Sequence, residues 1–275
     1  MRRDWEKYLE VCESTARRAG AILVDYIGRF HVHEKGRADL VTEADFASQT
    51  QVKEAIGRAF PGHVFLGEEN TPGTSAVGGT GICRWIVDPL DGTTNYVHGD
   101  PRFCVSLALE VDGILEVGTI YAPLLEECYT AARGRGAKLN GKPIHVSGIE
   151  EPQKSLIAVG FPPGAGYDSP DLEAFMNVLD QCHAIRRSGS TAMNLAYVAA
   201  GRYDATWNFR THPWDIAAGV LLVQEAGGVV RQLNGHAMDV NRGSFLAAAS
   251  ESLYEAFRER IHGHRFRDWR KQHPT

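Results

Sequence analysis

The sequence has no long apolar run and no surplus of basic residues. Its longest apolar stretch, near residues 216–223, is far too short to span a bilayer. The charged start, residues 1–7, is not followed by the apolar segment of a secretion signal, so we expect a cytoplasmic protein with no membrane partner. The net charge of -5 at pH 7 argues against a nucleic-acid partner, because binding nucleic acid normally requires a basic face.

Cysteine pairs and linkers are also missing. The five cysteines are widely spaced, and no two of them form a C-x-x-C motif. This pattern indicates neither a disulfide framework nor a zinc site, so we expect reduced and mostly buried thiols. With 275 residues, of which 43% are hydrophobic and 23% charged, the chain has a globular composition and room for one large core or two smaller packed units.

The first half of the chain has the pattern of helices followed by an antiparallel sheet. Apolar residues at spacings of three and four predict helices at residues 5–26 and 45–60, with Thr42 or Asp45 as the cap of the second. Alternating apolar residues and two turn signals predict strands at residues 103–111, 114–121, 127–133 and 137–146.

After residue 150 strands and helices alternate, which is typical of an α/β unit. Helices are predicted at residues 171–182, 191–200 and 215–226 and from about residue 252, with strands at residues 156–159 and near residue 205. We therefore divide the chain into an N-terminal α+β half, residues 1–150, and a C-terminal α/β half, residues 151–275.

The segment richest in chemistry is the apolar run of residues 85–87, which is followed by Asp88 and Asp91 around Pro89. We expect the proline to end the strand, and the turn to bring both carboxylates to one side as oxygen ligands for a hard cation. An isolated turn of this kind is more often a capped turn whose carboxylates bond backbone amides.

The residues after this turn favour a metal site over a capped turn. Gly92 removes a side chain that would block the approach of a ligand to the backbone. The amides and hydroxyls of Thr93 and Thr94 then form a concavity for an anion. A pair of metal ligands joined to an anion cradle is what phosphoryl transfer needs, since the reaction must neutralise charge on the phosphoryl oxygens.

Three further acidic positions support this reading only in combination. Glu68 alone is explained as part of a solvated turn, Asp45 as a helix cap, and Asp215 as the N-cap of an apolar helix. Together with the central segment, however, they complete a pattern of segments that runs through nearly the whole chain. The segments are residues 39–45, 67–69, 85–95, 189–191, 214–219 and 225–228.

This pattern resembles the inositol monophosphatase family, relatives of the fructose bisphosphatases. The D-P-L-D-G-T sequence at residues 88–93 and the W-D-x-A-A-G sequence at residues 214–219 carry the resemblance. It implies an α/β protein whose layers form an α-β-α-β-α sandwich with the site between the two halves. It also implies Mg²⁺-dependent hydrolysis of a small phosphorylated substrate, lithium sensitivity and a homodimer.

The resemblance also implies a role for each matching position. Two Mg²⁺ ions, with a third more weakly bound, would be held by Glu68, Asp88, the Leu90 carbonyl, Asp91 and Asp215. The catalytic residues would be Glu68 and a Thr93–Asp45 pair that orients or deprotonates water. The substrate-binding residues would be Leu90, Asp91, Gly92, Thr93, Gly189, Ser190, Thr191, Asn208 and Asp215.

One position departs from the family pattern. Asn208 stands where inositol-specific relatives usually have an acidic residue, and Arg210 follows it, which favours an anionic substrate. Inositol-1-monophosphatase activity is the leading prediction. Fructose-1,6-bisphosphatase, 3'-phosphoadenosine 5'-phosphate phosphatase, histidinol phosphatase and a regulatory RNA- or protein-binding role stay open. Arg186 and Arg187 are candidates for binding a second phosphate, although solvated or interface arginines are an equal explanation.

Overall fold

A computed structural model describes residues 4–36, 39–69, 81–162, 164–263 and 266, with the side chains of residues 35 and 39 excepted. Its helices are α1 (Trp5–Tyr26), α2 (Glu43–Ala59), α3 (Thr93–Val97), α4 (Pro170–Val178), α5 (Thr191–Ala199), α6 (Pro213–Glu225) and α7 (Glu251–Ile261). None of the helices in this described part of the chain is both long enough and apolar enough to cross a membrane.

The strands of the described residues form three sheets. A ribbon pairs β1 (Val32–Gly36) with β2 (Asp39–Thr42). A seven-stranded sheet follows chain order: β3 (Val64–Gly67), β4 (Cys83–Asp91), β5 (Cys104–Val111), β6 (Ile114–Ala122), β7 (Glu127–Ala132), β8 (Ala137–Leu139) and β9 (Lys142–Ile144). Only β3 and β4 pair in parallel within it.

The third sheet has five strands. They are β10 (Leu156–Val159), β11 (Ala184–Arg186), β12 (Ala205–Asn208), β13 (Val229–Arg231) and β14 (Phe245–Ala248). Their spatial order is β11-β10-β12-β14-β13, in which β10 is parallel to both β11 and β12. The ends of three neighbouring parallel strands therefore meet at one edge.

Successive side chains of a strand lie in different layers of the hydrophobic core. On β4, Trp85 and Val87 pack with α1 and α2, whereas Ile86 packs with α5 and α6 on the opposite face. On β14, Phe245 faces α5 and α6, while Leu246 faces α4 and α7. Because a strand turns successive side chains to opposite faces, the seven-stranded and five-stranded sheets are each covered on both sides. The resulting α-β-α-β-α order confirms the predicted fold.

Several sequence predictions hold and others need correction. The first helix, the hairpin of β5 and β6 and the burial or half-burial of all five free cysteines are confirmed. The helix predicted at residues 171–182 starts at Pro170, with Ser169 as its cap, and ends at Val178. The segment predicted at residues 137–146 turns at residues 140–141 as expected, and its second strand ends at Ile144. The division near residue 150 stays a prediction, since α6 of the second half packs on the sheet of the first.

Candidate active site

A cavity of about 1290 Å³ opens where the edge of the seven-stranded sheet meets the second half of the chain. Every predicted site residue except Asp45 lines it. These lining residues are Glu68, Asp88, Leu90, Asp91, Gly92, Thr93, Gly189, Ser190, Thr191, Asn208 and Asp215. The fold thus brings together positions that are up to roughly half the chain apart in sequence.

A β-bulge directs both central carboxylates into this cavity. The expectation that Pro89 ends the strand was wrong, because β4 pairs with β5 at Asp88 and again at Asp91. Between these pairs, Pro89 and Leu90 oppose a single residue of β5. In a regular strand, residues three apart face opposite sides, so the extra residue is what lets both carboxylates share one side.

Short contacts hold the bulge in shape. Pro89 has no amide hydrogen to contribute to the ladder, and its carbonyl accepts a hydrogen bond from Ser48 Oγ at 2.9 Å. The Leu90 amide donates to Asp88 Oδ1 at 3.0 Å. Asp88 is therefore both an anchor of the bulge and a side chain of the cavity.

The carboxylates of the site repel one another. Burial, followed by the negative charges of Glu68, Asp91 and Asp215, holds the pKa of Asp88 well above its usual range. Burial also raises the pKa of Asp91 to about 6, against the lowering effect of hydrogen bonds from Ser190 and its neighbours. The pKa of Asp215 is raised well above its usual range, again mainly by burial. Uncompensated buried charge is costly, so this arrangement calls for a cation.

Two of the carboxylates that could bind a metal accept hydrogen bonds within the protein. Asp91 Oδ2 accepts from Ser190 Oγ and from the Ala192 amide, each at 2.6 Å, and Asp215 Oδ2 accepts from the His212 amide at 2.7 Å. Within the described residues, no three His, Cys, Asp or Glu side chains are yet arranged to hold a metal ion. The chemistry nevertheless fits Mg²⁺, a hard cation that prefers carboxylate oxygens, provided that these side chains rotate about their own bonds.

The predicted Thr93–Asp45 pair is present as a long contact. Thr93 Oγ1 lies 3.5 Å from Asp45 Oδ1 and 3.1 Å from the Leu90 carbonyl oxygen. Asp45 is buried beneath the cavity, and its Oδ2 accepts from the amide and the hydroxyl of Thr42 in a capping box for α2. Burial raises the pKa of Asp45 to about 7 despite these bonds from Thr42.

Gly92 and Gly189 occupy positions at which a side chain would clash with neighbouring atoms. Gly92 has a left-handed backbone with φ 95°, and a Cβ atom there would lie 3.0 Å from the Arg102 carbonyl oxygen. Gly189 has φ 88°, and its Cβ would lie 2.5 Å from Asn95 Oδ1. Helix α3 begins directly after Gly92, so its first amides have no partner within the helix and face the cavity.

Asn95 joins the two halves at the cavity, a role that sequence reasoning missed. Its Nδ2 donates to the Arg102 carbonyl at 2.6 Å and to the Ser188 carbonyl at 2.8 Å. The signal was its place at the end of the segment 85–95. Ser190 then caps α5 by accepting from the Met193 amide at 3.1 Å while it donates to Asp91.

The second half also corrects the role predicted for Asp215. This residue is not the N-cap of α6; it is the third residue of the helix, and His212 is the cap. The His212 ring stacks on Trp214 with centroids 4.7 Å apart, and the Trp214 carbonyl accepts from Ser106 Oγ at 3.3 Å. His212, which the predicted catalytic set omits, thus positions Asp215 without contributing its ring to the cluster of carboxylates.

Asn208 lies at the end of β12 and is almost fully buried. Its Nδ2 donates to Thr191 Oγ1 at 3.1 Å. Its Oδ1 has no hydrogen-bond partner among the described residues and lies against Gly160. Asn208 therefore adds a neutral and almost fully buried amide to the lining of the cavity.

Known proteins resemble this chain over nearly its whole length. The model of the inositol monophosphatase family matches residues 4–265. The chain is 42% identical to the Nus factor SuhB of Pseudomonas aeruginosa, over 87% of this chain and 90% of that protein. It is 40% identical to the inositol-1-monophosphatase of Mesorhizobium japonicum, over 87% of this chain and 90% of that protein.

Solved structures share the same fold. The extragenic suppressor protein suhB from Bartonella henselae superposes with a TM-score of 0.86 at 38% identity, covering 93% of this chain and 98% of that one. An IMPase/NADP phosphatase solved with Mg²⁺ and phosphate superposes with a TM-score of 0.84 at 23% identity, covering 95% and 97%. At that lower identity the second likeness shows the fold alone.

Proposed function

The chain belongs to the inositol monophosphatase family and is a phosphoric monoester hydrolase; from that premise we propose Mg²⁺-dependent hydrolysis of a small polyol or sugar phosphate, of the inositol-1-monophosphatase type. The observation that carries the proposal is the group of buried carboxylates, Asp88, Asp91 and Asp215, which line one cavity beside the Gly92 turn; burial raises the pKa of each, and neighbouring acidic charges add to the rise. Such a group gains most from a divalent cation.

We assign two Mg²⁺ ions, and a third more weakly bound, to the oxygens that converge on the cavity. Their ligands would be Glu68, Asp88, the Leu90 carbonyl, Asp91 and Asp215. When bound, the metal acidifies a water molecule and neutralises charge on the phosphoryl oxygens. The same metal compensates the buried negative charge of its ligands.

The residues of the chain supply orientation and proton transfer. The Thr93 hydroxyl reaches Asp45 Oδ1 at 3.5 Å, so it can accept a proton from the attacking water while it donates its own toward Asp45. The amides of Gly92 and Thr93 face the phosphate. Ser190 fixes the direction of Asp91 through the 2.6 Å hydrogen bond, and Thr191 and Asn208 contact the alcohol part of the substrate.

A regulatory role is the second candidate, because one relative at 42% identity is named a Nus factor. The net charge of -5 disfavours direct binding to RNA. If the chain binds a regulatory protein, phosphate release should still occur unchanged when that protein is absent. We also propose a cytoplasmic, lithium-sensitive homodimer on the basis of family membership, to be tested by light scattering and by phosphate release in LiCl.

Phosphate release tests the main proposal. Inositol 1-phosphate should be hydrolysed with Mg²⁺ and not with EDTA, and Asp91→Asn should lose most of the activity. Asp25→Asn, on the exposed side of α1, serves as the matched control and should behave as the wild type. Activity that survives chelation, or that persists in Asp91→Asn, would sink the metal mechanism.

A further inference from the structure

The cavity extends from the cluster of carboxylates to the edge of the five-stranded sheet where three parallel strands end. The residues immediately beyond β11, β10 and β12 include Arg187, Phe161 and Arg210, and all three line the cavity. Strands β11 and β12 lie on either side of β10 and run parallel to it. The carboxyl ends of parallel strands are the usual place for ligands in α/β sheets.

Two positive charges at this edge lack a carboxylate partner. Within the described residues neither Arg187 nor Arg210 forms an ion pair, in contrast to Arg242 at the same cavity, which lies 3.4 Å from Asp239. Burial raises the pKa of Asp171, and the charge of Arg210 lowers it in part, but the two side chains form no ion pair, and the Asp171 carboxylate accepts from Ser169 Oγ at 3.2 Å. Both guanidinium groups are therefore available to an anion.

Aromatic packing holds one of these groups in place. The Arg187 guanidinium lies over the Phe161 ring, 5.8 Å from its centroid. Phe161 is itself held edge-on by Phe175, with ring centroids 5.9 Å apart. A guanidinium that is stacked on a fixed ring loses less freedom on binding than a free side chain does.

The spacing suits a compact anion. Neighbouring strands are about 4.8 Å apart, so the ends of β11 and β12 are separated by about 10 Å, with Phe161 between them. Two long arginine side chains at this separation can reach one phosphate group, each through two N–H donors. The cavity volume of about 1290 Å³ exceeds the roughly 300–1,000 Å³ of most small-ligand sites, which leaves room for a second charged group.

The lining of the cavity also includes two neutral polar side chains. Asn208 and Thr191 are joined by their 3.1 Å hydrogen bond. A ligand that spans the cavity would therefore meet a metal and phosphate end, neutral side chains that bond hydroxyl groups, and a cationic end.

We propose that Arg187 and Arg210 form a second anion subsite, and that the preferred substrate is a small phosphate monoester that carries another phosphate group. The inference rests on the proposed function, since it describes the same cavity. Sugar bisphosphates and nucleoside bisphosphates share this chemistry. The two classes differ in whether a sugar alone or a sugar with a base separates the phosphates.

The test compares kcat/KM for inositol 1-phosphate, fructose 1,6-bisphosphate and 3'-phosphoadenosine 5'-phosphate in wild type, Arg187→Gln and Arg210→Gln. The readout is the ratio of kcat/KM for a bisphosphate to that for inositol 1-phosphate, which cancels general losses of folded enzyme. The matched control is Arg186→Gln, because Arg186 is exposed, donates to the Ile185 carbonyl at 3.1 Å and does not line the cavity.

We expect the wild type to favour at least one bisphosphate. The ratio should fall by about tenfold in each of the two cavity variants, because each loses charge-assisted hydrogen bonds, and it should not change in Arg186→Gln. The bisphosphate with the larger fall identifies the spacing of the two phosphates. A wild-type preference for inositol 1-phosphate, or equal ratios in all variants, would overturn the subsite while leaving the hydrolase intact. Absence of turnover of all three esters would instead overturn the proposed function.

Discussion

At the scale of single residues, Thr93 is the side chain whose chemistry is most tightly defined by its neighbours. Its hydroxyl has one proton and two acceptors within reach, the Leu90 carbonyl oxygen at 3.1 Å and Asp45 Oδ1 at 3.5 Å. The backbone contact is the shorter, so a substrate or metal that engages the carbonyl would turn the hydroxyl toward Asp45. The proton path therefore depends on the state of the site.

Removing this hydroxyl should affect chemistry more than binding. In Thr93→Ala we expect kcat to fall by about 100-fold or more, the usual contribution of a positioned proton acceptor, with little change in KM. Thr93→Ser keeps the hydroxyl and should restore much of the rate. Steady-state phosphate release measures both constants. Equal loss in the alanine and serine variants would show that the methyl group, not the hydroxyl, matters.

The local sequence pattern identified the proposed metal ligands but not the residues that hold those ligands in position. Asp88 and Asp91 were recognisable because the segment around them is distinctive, whereas Asn95 acts on Ser188, 93 positions away. His212 holds Asp215 through its backbone amide, a contact that any residue type could make. Contacts that depend on tertiary distance, or on the main chain alone, leave no mark in the local sequence.

At the scale of secondary-structure elements, Glu225 joins the end of α6 to the turn after β7. Its carboxylate accepts from the amides of Gly134 at 2.8 Å, Arg135 at 3.1 Å and Gly136 at 2.9 Å. One side chain thus satisfies three amides of a turn in the first half from a helix in the second. This element contact couples the position of α6, and hence of Asp215, to the seven-stranded sheet.

Neutralising this carboxylate should loosen the contact. Glu225→Gln removes the charge and one acceptor oxygen, and we expect the free energy of unfolding to fall by about 2 kcal/mol. Urea denaturation measures the change. Glu259→Gln, on the exposed face of α7, is the control and should leave the midpoint unchanged. A midpoint for Glu225→Gln equal to that of the wild type would mean that solvent satisfies these amides equally well.

The sequence predicted the type of each helix and strand more accurately than the residues at which it begins and ends. The apolar periodicity of α1 and the alternation of β5 and β6 were sufficient, because long regular patterns carry the signal. The prediction that the strand ends at Pro89 was wrong, since a bulge lets a proline stay within a strand where no amide is needed. Asp215 fits the profile of a cap, but the chain enters α6 through Pro213, which moves the cap back to His212.

At the scale of the whole molecule, the five layers depend on close backbone approach between the two halves. Helix α6 crosses β6 at Gly118, where a Cβ atom would lie 3.0 Å from Ala218 Cα. This close contact sets the distance between the central helices and the seven-stranded sheet. It therefore also sets how far Asp215 stands from the carboxylates of β4.

Increasing the distance between α6 and β6 should lower the free energy of unfolding of the whole protein. Gly118→Val places a branched side chain against the α6 backbone, and we expect a loss of about 1–3 kcal/mol, the usual effect of overpacking. Gly57→Ala is the contrasting variant, since Gly57 lies in α2 with open space around it, and it should stabilise by about 0.5–1 kcal/mol. Thermal unfolding of both variants measures the difference. Unchanged stability in Gly118→Val would show that the layers can separate freely.

The central claim is that the buried carboxylates form a cation site and not merely a capped turn. A ligand that binds the folded state alone raises the unfolding temperature, by an amount that grows with the logarithm of one plus the ratio of free ligand concentration to Kd. Removing the Asp88 charge should instead stabilise the metal-free protein, because burial and then the charges of the neighbouring acids raise the pKa of this carboxyl well above its usual range.

Thermal unfolding with and without Mg²⁺ therefore tests the account most directly. The wild type and the exposed control Asp25→Asn should gain several degrees with Mg²⁺. Asp88→Asn should be at least as stable as the wild type without metal and should gain nothing from adding it. A rise with Mg²⁺ in Asp88→Asn equal to that of the wild type would contradict the assignment.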